Sequence, residues 1–132
     1  MIVTCTPSRV PLLSAADVPT GAFVAGVGAD NEDKQELAPD LMAGSTVVVD
    51  VLEQCATIGD LHHALMAGVM RREDVHAELA DVVSGRKSGR TSRDEITIFD
   101  STGTALEDVA AAAIVYERAA LEGRGTEIRL GT

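Results

Sequence analysis

The stretch that most narrows what this chain can fold into is "TVVVDVL", residues 46–52. Side chains along a strand alternate between faces, so three successive valines cannot lie on a sheet with one wet side. Such a run belongs to a strand buried on both faces, the mark of a parallel sheet covered by helices. "IVTCT" near the start, "AFVAGVG" and "EITIFDS" have the same β-branched, apolar character, and segments of helical spacing separate them. This alternation predicts an α/β fold with a mostly parallel sheet and flanking helices. A chain of 132 residues has the size of one domain and can bury a substantial core. Aromatics make up only 2% of it, without any Trp, so Ala, Val and Leu must fill that core.

Read along the chain, the run from Ile2 predicts a central strand, and Leu12 to Val18 a short strand or turn. Pro19, Thr20 and Gly21 turn the chain into a strand over Ala22–Val27. "KQELAPDLMAGS" reads as a short helical turn with Pro39 in its first turn, and Thr46 to Leu52 as a strand. Leu61, Ala64, Leu65 and Val69 follow helical spacing, with Asp60 as the cap. Arg72 to Ser84 reads as one further helix, stopped by Gly85. A strand from Glu95 and an Ala-rich helix over Ala105–Gly123 follow, and "TEIRL" closes the chain as a short strand or tail.

The formal net charge of −10 excludes nucleic acid and anionic membrane as natural partners. No apolar run approaches the roughly 20 residues of a membrane span. Cys5 and Cys55 both sit in apolar sequence and read as small buried thiols of a reduced, cytoplasmic protein. His62, His63 and His76 with Cys55 match no zinc spacing, so no metal is expected. Arg86, Lys87, Arg90 and Arg93 form a basic loop, read either as a solvated segment offsetting nearby acids or as a dock for an acidic group.

"TCTPS", "GVGAD" and "FDSTG" share one feature. Each breaks from apolar residues into hydroxyls, glycine or aspartate. In a parallel sheet these endings lie on one rim, where ligands bind. "GVGADNEDK" lacks the third glycine of a phosphate-binding loop and is too acidic to cradle pyrophosphate. Gly28 could instead let backbone approach a ligand, and Asp30 could act as a general acid or base, or Asp30 or Asn31 could simply cap a helix. Ser101, Thr102 and Thr104 surround Gly103 ahead of the last helix, and a cap would account for one of them.

In order along nearly the whole chain, "VTCTPSR", "GAFVAGVGADNEDKQEL", "VVVDVLEQC", "GDLHHAL", "GRTSRDEITIFDSTGTALEDVAAAAIVYERA" and "GRGTEIRL" resemble the ornithine cyclodeaminase/μ-crystallin family. That family includes NAD(P)-dependent cyclodeaminases, alanine dehydrogenases and cyclic imine reductases. The resemblance implies a Rossmann-type domain that binds NAD or NADP, a small amino acid or cyclic imine as substrate, and a homodimer. Thr4, Thr6 and Ser101 match cofactor-side hydroxyls. Val27, Gly28 and Ala29 match the backbone along the nicotinamide, and Lys34 matches a lysine near the cofactor. Asp30 matches the catalytic aspartate, which exchanges protons with the substrate amine or activated water, and Thr102 matches a substrate-side residue. Valine is expected at position 102 in the ornithine-type pattern. The threonine here, with "EQCATIGDLHHA", leans towards the imine reductase or dehydrogenase branches.

The family's phosphate loop lies upstream of its "TCT" strand, and its substrate-binding lysine and arginine lie further upstream in a separate domain. The resemblance therefore implies a partial Rossmann domain over 1–132 without its N-terminal strands, its tail from about 105 packing towards the substrate domain. An exposed sheet edge and weak or absent cofactor binding by the isolated chain are expected. The alternative is an inactive fragment or an interaction module that pairs through that edge.

Overall fold

The computed structural model describes residues 1–128. Seven strands and five helices follow in order: β1 (Ile2–Thr4), β2 (Arg9–Leu13), β3 (Phe23–Gly26), β4 (Gln35–Leu37), α1 (Pro39–Ala43), β5 (Thr46–Val49), α2 (Leu52–Ile58), α3 (Asp60–Met66), β6 (Ala77–Glu78), α4 (Leu79–Val83), β7 (Thr97–Asp100) and α5 (Ala105–Leu121). Five strands form one sheet in the order β1-β3-β7-β5-β6, and every pairing in it is parallel. A small parallel pair, β2 with β4, stands beside it.

The valine run behaves as its pattern requires. Val47 and Val49 are fully buried on one face of β5, and Val48 is nearly so on the other. In register with them, Val24 and Ile98 point into the same core, which Leu41, Met42, Cys55, Ala56, Leu61 and Ala64 complete from α1, α2 and α3. This face is closed. Among the described helices, α4 is the one that meets the opposite face, leaving an apolar groove of about 260 Å³ lined by Phe23, Val48, Leu79, Val82 and Phe99.

Several expectations are corrected. The strand from Ile2 is an edge of the sheet rather than a central strand, with Val3 58% exposed. "QEL" forms β4 ahead of helix α1, which does start at Pro39. The strand from Thr46 ends at Val49, and a further helix, α2, begins at Leu52. Arg72–Ser84 is not one helix but a 3-10 turn over Arg72–Asp74, then β6 and α4. Its apolar spacing is helical, yet His76 N–H donates to the Val47 carbonyl (2.9 Å), so sheet pairing overrides local preference. Cys5 is exposed, and only Cys55 is a buried thiol. Arg129 and Leu130 of "TEIRL" lie outside the described residues.

Arg90 is a structural residue. Its guanidinium donates to the carbonyls of Glu95 (2.6 Å) and Ala22 (2.7 Å), pinning the basic loop to the starts of β7 and β3. Arg86 pairs with Asp81 at 2.7 Å. The loop is thus partly neutralised by its own surroundings.

Helix α5 lies outside the core. Leu106, Val109, Val115, Tyr116 and Leu121 are each at least 65% exposed, so its apolar residues add little to the stability of this chain. Ile98→Ala is expected to cost about 2–5 kcal/mol in chemical denaturation, as for a fully buried aliphatic side chain. Val115→Ser is expected to change stability by less than about 0.5 kcal/mol. A large loss for Val115→Ser would show that α5 is packed in solution.

Candidate functional site: the carboxyl rim of the parallel sheet

Register brings the three strand endings together. Thr4 of β1 lies beside Gly26 of β3, and Gly26 beside Asp100 of β7. Backbone bonds carry the ladder past the strands: Val27 N–H to the Thr4 carbonyl (3.0 Å), Ser101 N–H to that of Gly26 (2.9 Å), and Asp50 N–H to that of Asp100 (3.2 Å). Thr4, Thr6, Val27, Gly28, Ala29, Asp30, Ser101 and Thr102 therefore follow from one end of one sheet.

Four buried carboxylates hold this rim: Glu36, Asp50, Asp60 and Asp100. None forms an ion pair among the described residues; backbone N–H groups, hydroxyls and a thiol are their partners. Asp100, at the end of β7, accepts from the Asp60 N–H (3.3 Å) and the Leu61 N–H (2.8 Å), filling the orphan donors at the start of α3. Asp60 does not cap its helix as expected. It is the first helical residue, and its Oδ1 accepts from the N–H groups of Glu36 (2.8 Å) and Leu37 (2.9 Å) in β4. Glu36 then reaches the rim. Its Oε2 accepts from Thr4 Oγ1 (2.7 Å) and Gly28 N–H (2.8 Å), its Oε1 from Thr6 N–H (2.6 Å) and Thr6 Oγ1 (2.8 Å).

Asp50 organises the other half. It accepts from Val51 N–H, Cys55 Sγ, Ser101 Oγ, Thr102 N–H and Gly103 N–H. Ser101 and Thr102 therefore do not cap α5, whose N-cap Thr104 makes no side-chain cap bond either. The role of Gly28 also changes. A Cβ there would lie 2.5 Å from Glu36 Oε1 and 2.6 Å from Thr6 N, so glycine is demanded by the protein's own interior. The same fit recurs at Gly59, where a Cβ would lie 2.8 Å from Asp100 Oδ2.

Electrostatics separates the four. Burial works to raise Asp50, but its donors, Cys55 first, outweigh it and hold the carboxyl below its ordinary value. Burial pushes Asp60 up to about 6 against the pull of the Leu37 and Glu36 amides. Its Oδ2 has no partner, the natural place for a proton. Burial, then the neighbouring Asp60, pushes Asp100 up to about 8. Burial and the charges of Asp100 and Asp50 drive the Cys55 thiol far up, so it serves as a donor and not as a nucleophile.

Asp30 differs from these. It is exposed, and its Oδ1 pairs with Lys34 Nζ at 2.6 Å. It caps no helix: Asn31 Oδ1 accepts from the N–H groups of Asp33 and Lys34, closing a turn that leads into β4. His63 of α3 braces that turn through a 2.8 Å bond between Nε2 and the Lys34 carbonyl. Thr4 and Ser101 turn their hydroxyls inward to Glu36 and Asp50, while Asp30 and Lys34 stand at the surface. The described residues contain no cluster of three or more His, Cys, Asp or Glu able to hold a metal. No described helix is long and apolar enough to cross a membrane.

The model of the ornithine cyclodeaminase/mu-crystallin family matches residues 1–123. The chain belongs to that family. It is 45% identical over 129 residues to the alanine dehydrogenase of Archaeoglobus fulgidus, a match covering 98% of this chain and 40% of that protein. An archaeal alanine dehydrogenase dimer with bound NAD superposes with a TM-score of 0.87 at 44% identity, over 98% of this chain and 41% of the other. The Δ1-pyrroline-2-carboxylate reductase of Thermococcus litoralis, in complex with NADH and L-proline, gives 0.88 at 34% identity, over 96% of this chain and 40% of the other. The chain thus spans about two-fifths of the length of the relatives it matches. The family's fold is present as an α/β unit with a parallel sheet.

Glu36, Asp50 and Asp100 hold the rim together, and sequence reasoning missed them. The available signal was a lone acid closing or interrupting an apolar run, in "VVVD", "TIFD" and "QEL".

The raised Asp60 and Asp100 make stability depend on pH. Their folded pKa values lie above the unfolded 3.8, so the stabilisation is complete below about pH 4 and is lost as pH rises through about 6 and 8. The unfolding free energy is expected to fall between pH 5 and pH 8.5 by on the order of a few kcal/mol, and the thermal midpoint with it. Asp100→Asn should flatten the upper part of that slope. A midpoint constant over this range would contradict the assignment.

Proposed function

We propose that this rim is the nicotinamide side of a dinucleotide site, in an enzyme that acts with NAD or NADP on a small amino acid or cyclic imine. The observation that carries the reading is the disposition of donors. The N–H groups of Thr6, Gly28, Thr102 and Gly103 all point into carboxylates of the protein itself. A rim whose amides are spent in this way offers nothing to a phosphate, but leaves backbone against which an uncharged carboxamide ring can lie. The pyrophosphate then needs a glycine-rich loop outside the described rim. Relatives bound to NAD or NADH support the reading.

When bound, a reduced nicotinamide supplies hydride to the carbon of a substrate C=N bond. The nitrogen then needs a proton. Asp30 is the rim residue suited to deliver it, being exposed and carried by the segment that leaves β3. Lys34, 2.6 Å away, holds the carboxylate in place. In the opposite direction the same carboxylate takes the proton from the substrate amine. Val27 and Ala29 flank Gly28 along the proposed ring side, with Thr102 towards the substrate. Thr4, Thr6 and Ser101 shape the rim through Glu36 and Asp50. A homodimer, as in the archaeal relative, is the proposed assembly.

A second reading has its own observation. β1 is an open edge three residues long, with Val3 exposed beside it, so the chain could act as a module pairing strand to strand. Sedimentation tests this second reading alone: a monomer of the isolated chain at micromolar concentration removes edge pairing.

The reading is tested in a chimaera in which this chain replaces the segment it matches in the Archaeoglobus fulgidus alanine dehydrogenase. Asp30→Asn is expected to lower NADH-dependent turnover by about 10²–10⁴-fold, with KM for NADH changed by less than about threefold. Undiminished turnover would make Asp30 a surface residue only. For the isolated chain, calorimetric titration with NADH and NADPH is expected to show weak binding or none. Micromolar affinity would mean that it holds the pyrophosphate unaided.

A further inference from the structure

The cofactor reading gives Glu36 no direct contact with a ligand: it is fully buried, with all its bonds inside the protein. We propose that Glu36 is the positioning residue of the rim, its carboxylate fixing how the 4–6 and 27–29 segments stand relative to each other and so where Asp30 is held. The proposal rests on the nicotinamide-rim reading and names the residue that sets its geometry.

Pairing alone does not fix that spacing. β1 meets β3 over three residues, and the ladder continues past them through the single Val27 N–H to Thr4 carbonyl bond. Beyond it, Glu36 links the two segments. Oε2 is shared between Thr4 of one and Gly28 of the other, while Oε1 takes both donors of Thr6. The carboxylate comes from a third element, β4, whose amides are held from below by Asp60, on the helix whose first amides Asp100 accepts. The bridge is therefore anchored in the core, on an element other than the two segments it joins.

Gly28 shows how close the fit is, since even a Cβ there would strike the carboxylate. Asp30 follows two residues later, and its own N–H donates to the Gly28 carbonyl at 3.1 Å. A shift of Gly28 is thus passed to the proton-transferring carboxylate. Glu36 makes two bonds through each oxygen within the protein, so it acts through Gly28 and Thr6 and not on a ligand.

Glu36→Gln tests this with little change of shape. The amide replaces one acceptor oxygen with a donor. The Thr4 or Thr6 hydroxyl can rotate to accept from it, but a backbone N–H cannot. Either the Thr6 or the Gly28 amide must lose its acceptor, and Glu36→Ala must free both. In the full chain, hydrogen exchange at the freed amide should accelerate by about tenfold or more, with Val24, Val47 and Ile98 within about threefold of the unsubstituted chain. In the chimaera with alanine dehydrogenase, Glu36→Gln should lower kcat by about tenfold or more while KM for NADH stays within about threefold. Thr6 and Gly28 amides that stay fully protected would overturn the proposal. So would acceleration spread evenly over Val24, Val47 and Ile98, or an unchanged kcat, each of which reduces Glu36 to a stabilising residue. Should the chimaera with Glu36 intact show no NADH-dependent turnover, the cofactor reading fails, and the exchange data still decide whether Glu36 positions the rim.

Discussion

The rim of this protein depends on carboxylates buried among backbone amides without a cation to balance them. A buried charge is costly unless every lone pair finds a donor, and removing the partners of such a group leaves a penalty of several kcal/mol. Here the donors are the N–H groups that a sheet-to-helix transition leaves orphaned. Asp100 fills those at the start of α3, Asp60 those of β4, and Glu36 and Asp50 those of the rim loops. Each acid thus solves a local problem of the chain that follows a strand. Because the strands are parallel and in register, the solutions gather at one end of the sheet.

This arrangement also decides what the rim can bind. Amides that end on internal carboxylates are closed to anions, and Asp50, held below its ordinary pKa, adds negative potential. A phosphate is thereby disfavoured at the rim, and on the proposed reading the nicotinamide end is the part of a dinucleotide that fits. Asp30, exposed, lies beside Lys34 at the surface, and on the proposed reading it transfers the proton. The apolar groove by Phe23 lies on the sheet face opposite the core, apart from these groups.

Much of the architecture was legible in the sequence. The β-branched runs at Ile2, Ala22, Thr46 and Glu95 do form parallel strands of one sheet, because burial on both faces leaves a recognisable composition. Short elements were not legible. β4 and β6 contain three and two residues, too few for any periodicity, and exist through tertiary pairing. α2 follows Val49 so closely that its first residues read as more strand. At the rim, hydroxyls and glycine could be seen as a cluster, but not what they served. Thr4, Ser101 and Gly28 read as ligand-facing, whereas each is held against an internal carboxylate. The acids themselves escaped notice because a lone Asp after a strand looks like the start of a loop.

We propose that the ends of β1, β3 and β7, held by these carboxylates, form the surface that a nicotinamide dinucleotide covers. Hydrogen exchange measured by mass spectrometry on the chimaera with alanine dehydrogenase, with and without saturating NADH, tests it most directly. Protection is expected in three peptides at once, those containing residues 4–8, 27–31 and 101–104, with α5 and the basic loop around Arg90 unchanged. Protection confined to that loop, to α5 or to the groove beside Phe23, with the three strand-end peptides unaffected, would contradict it.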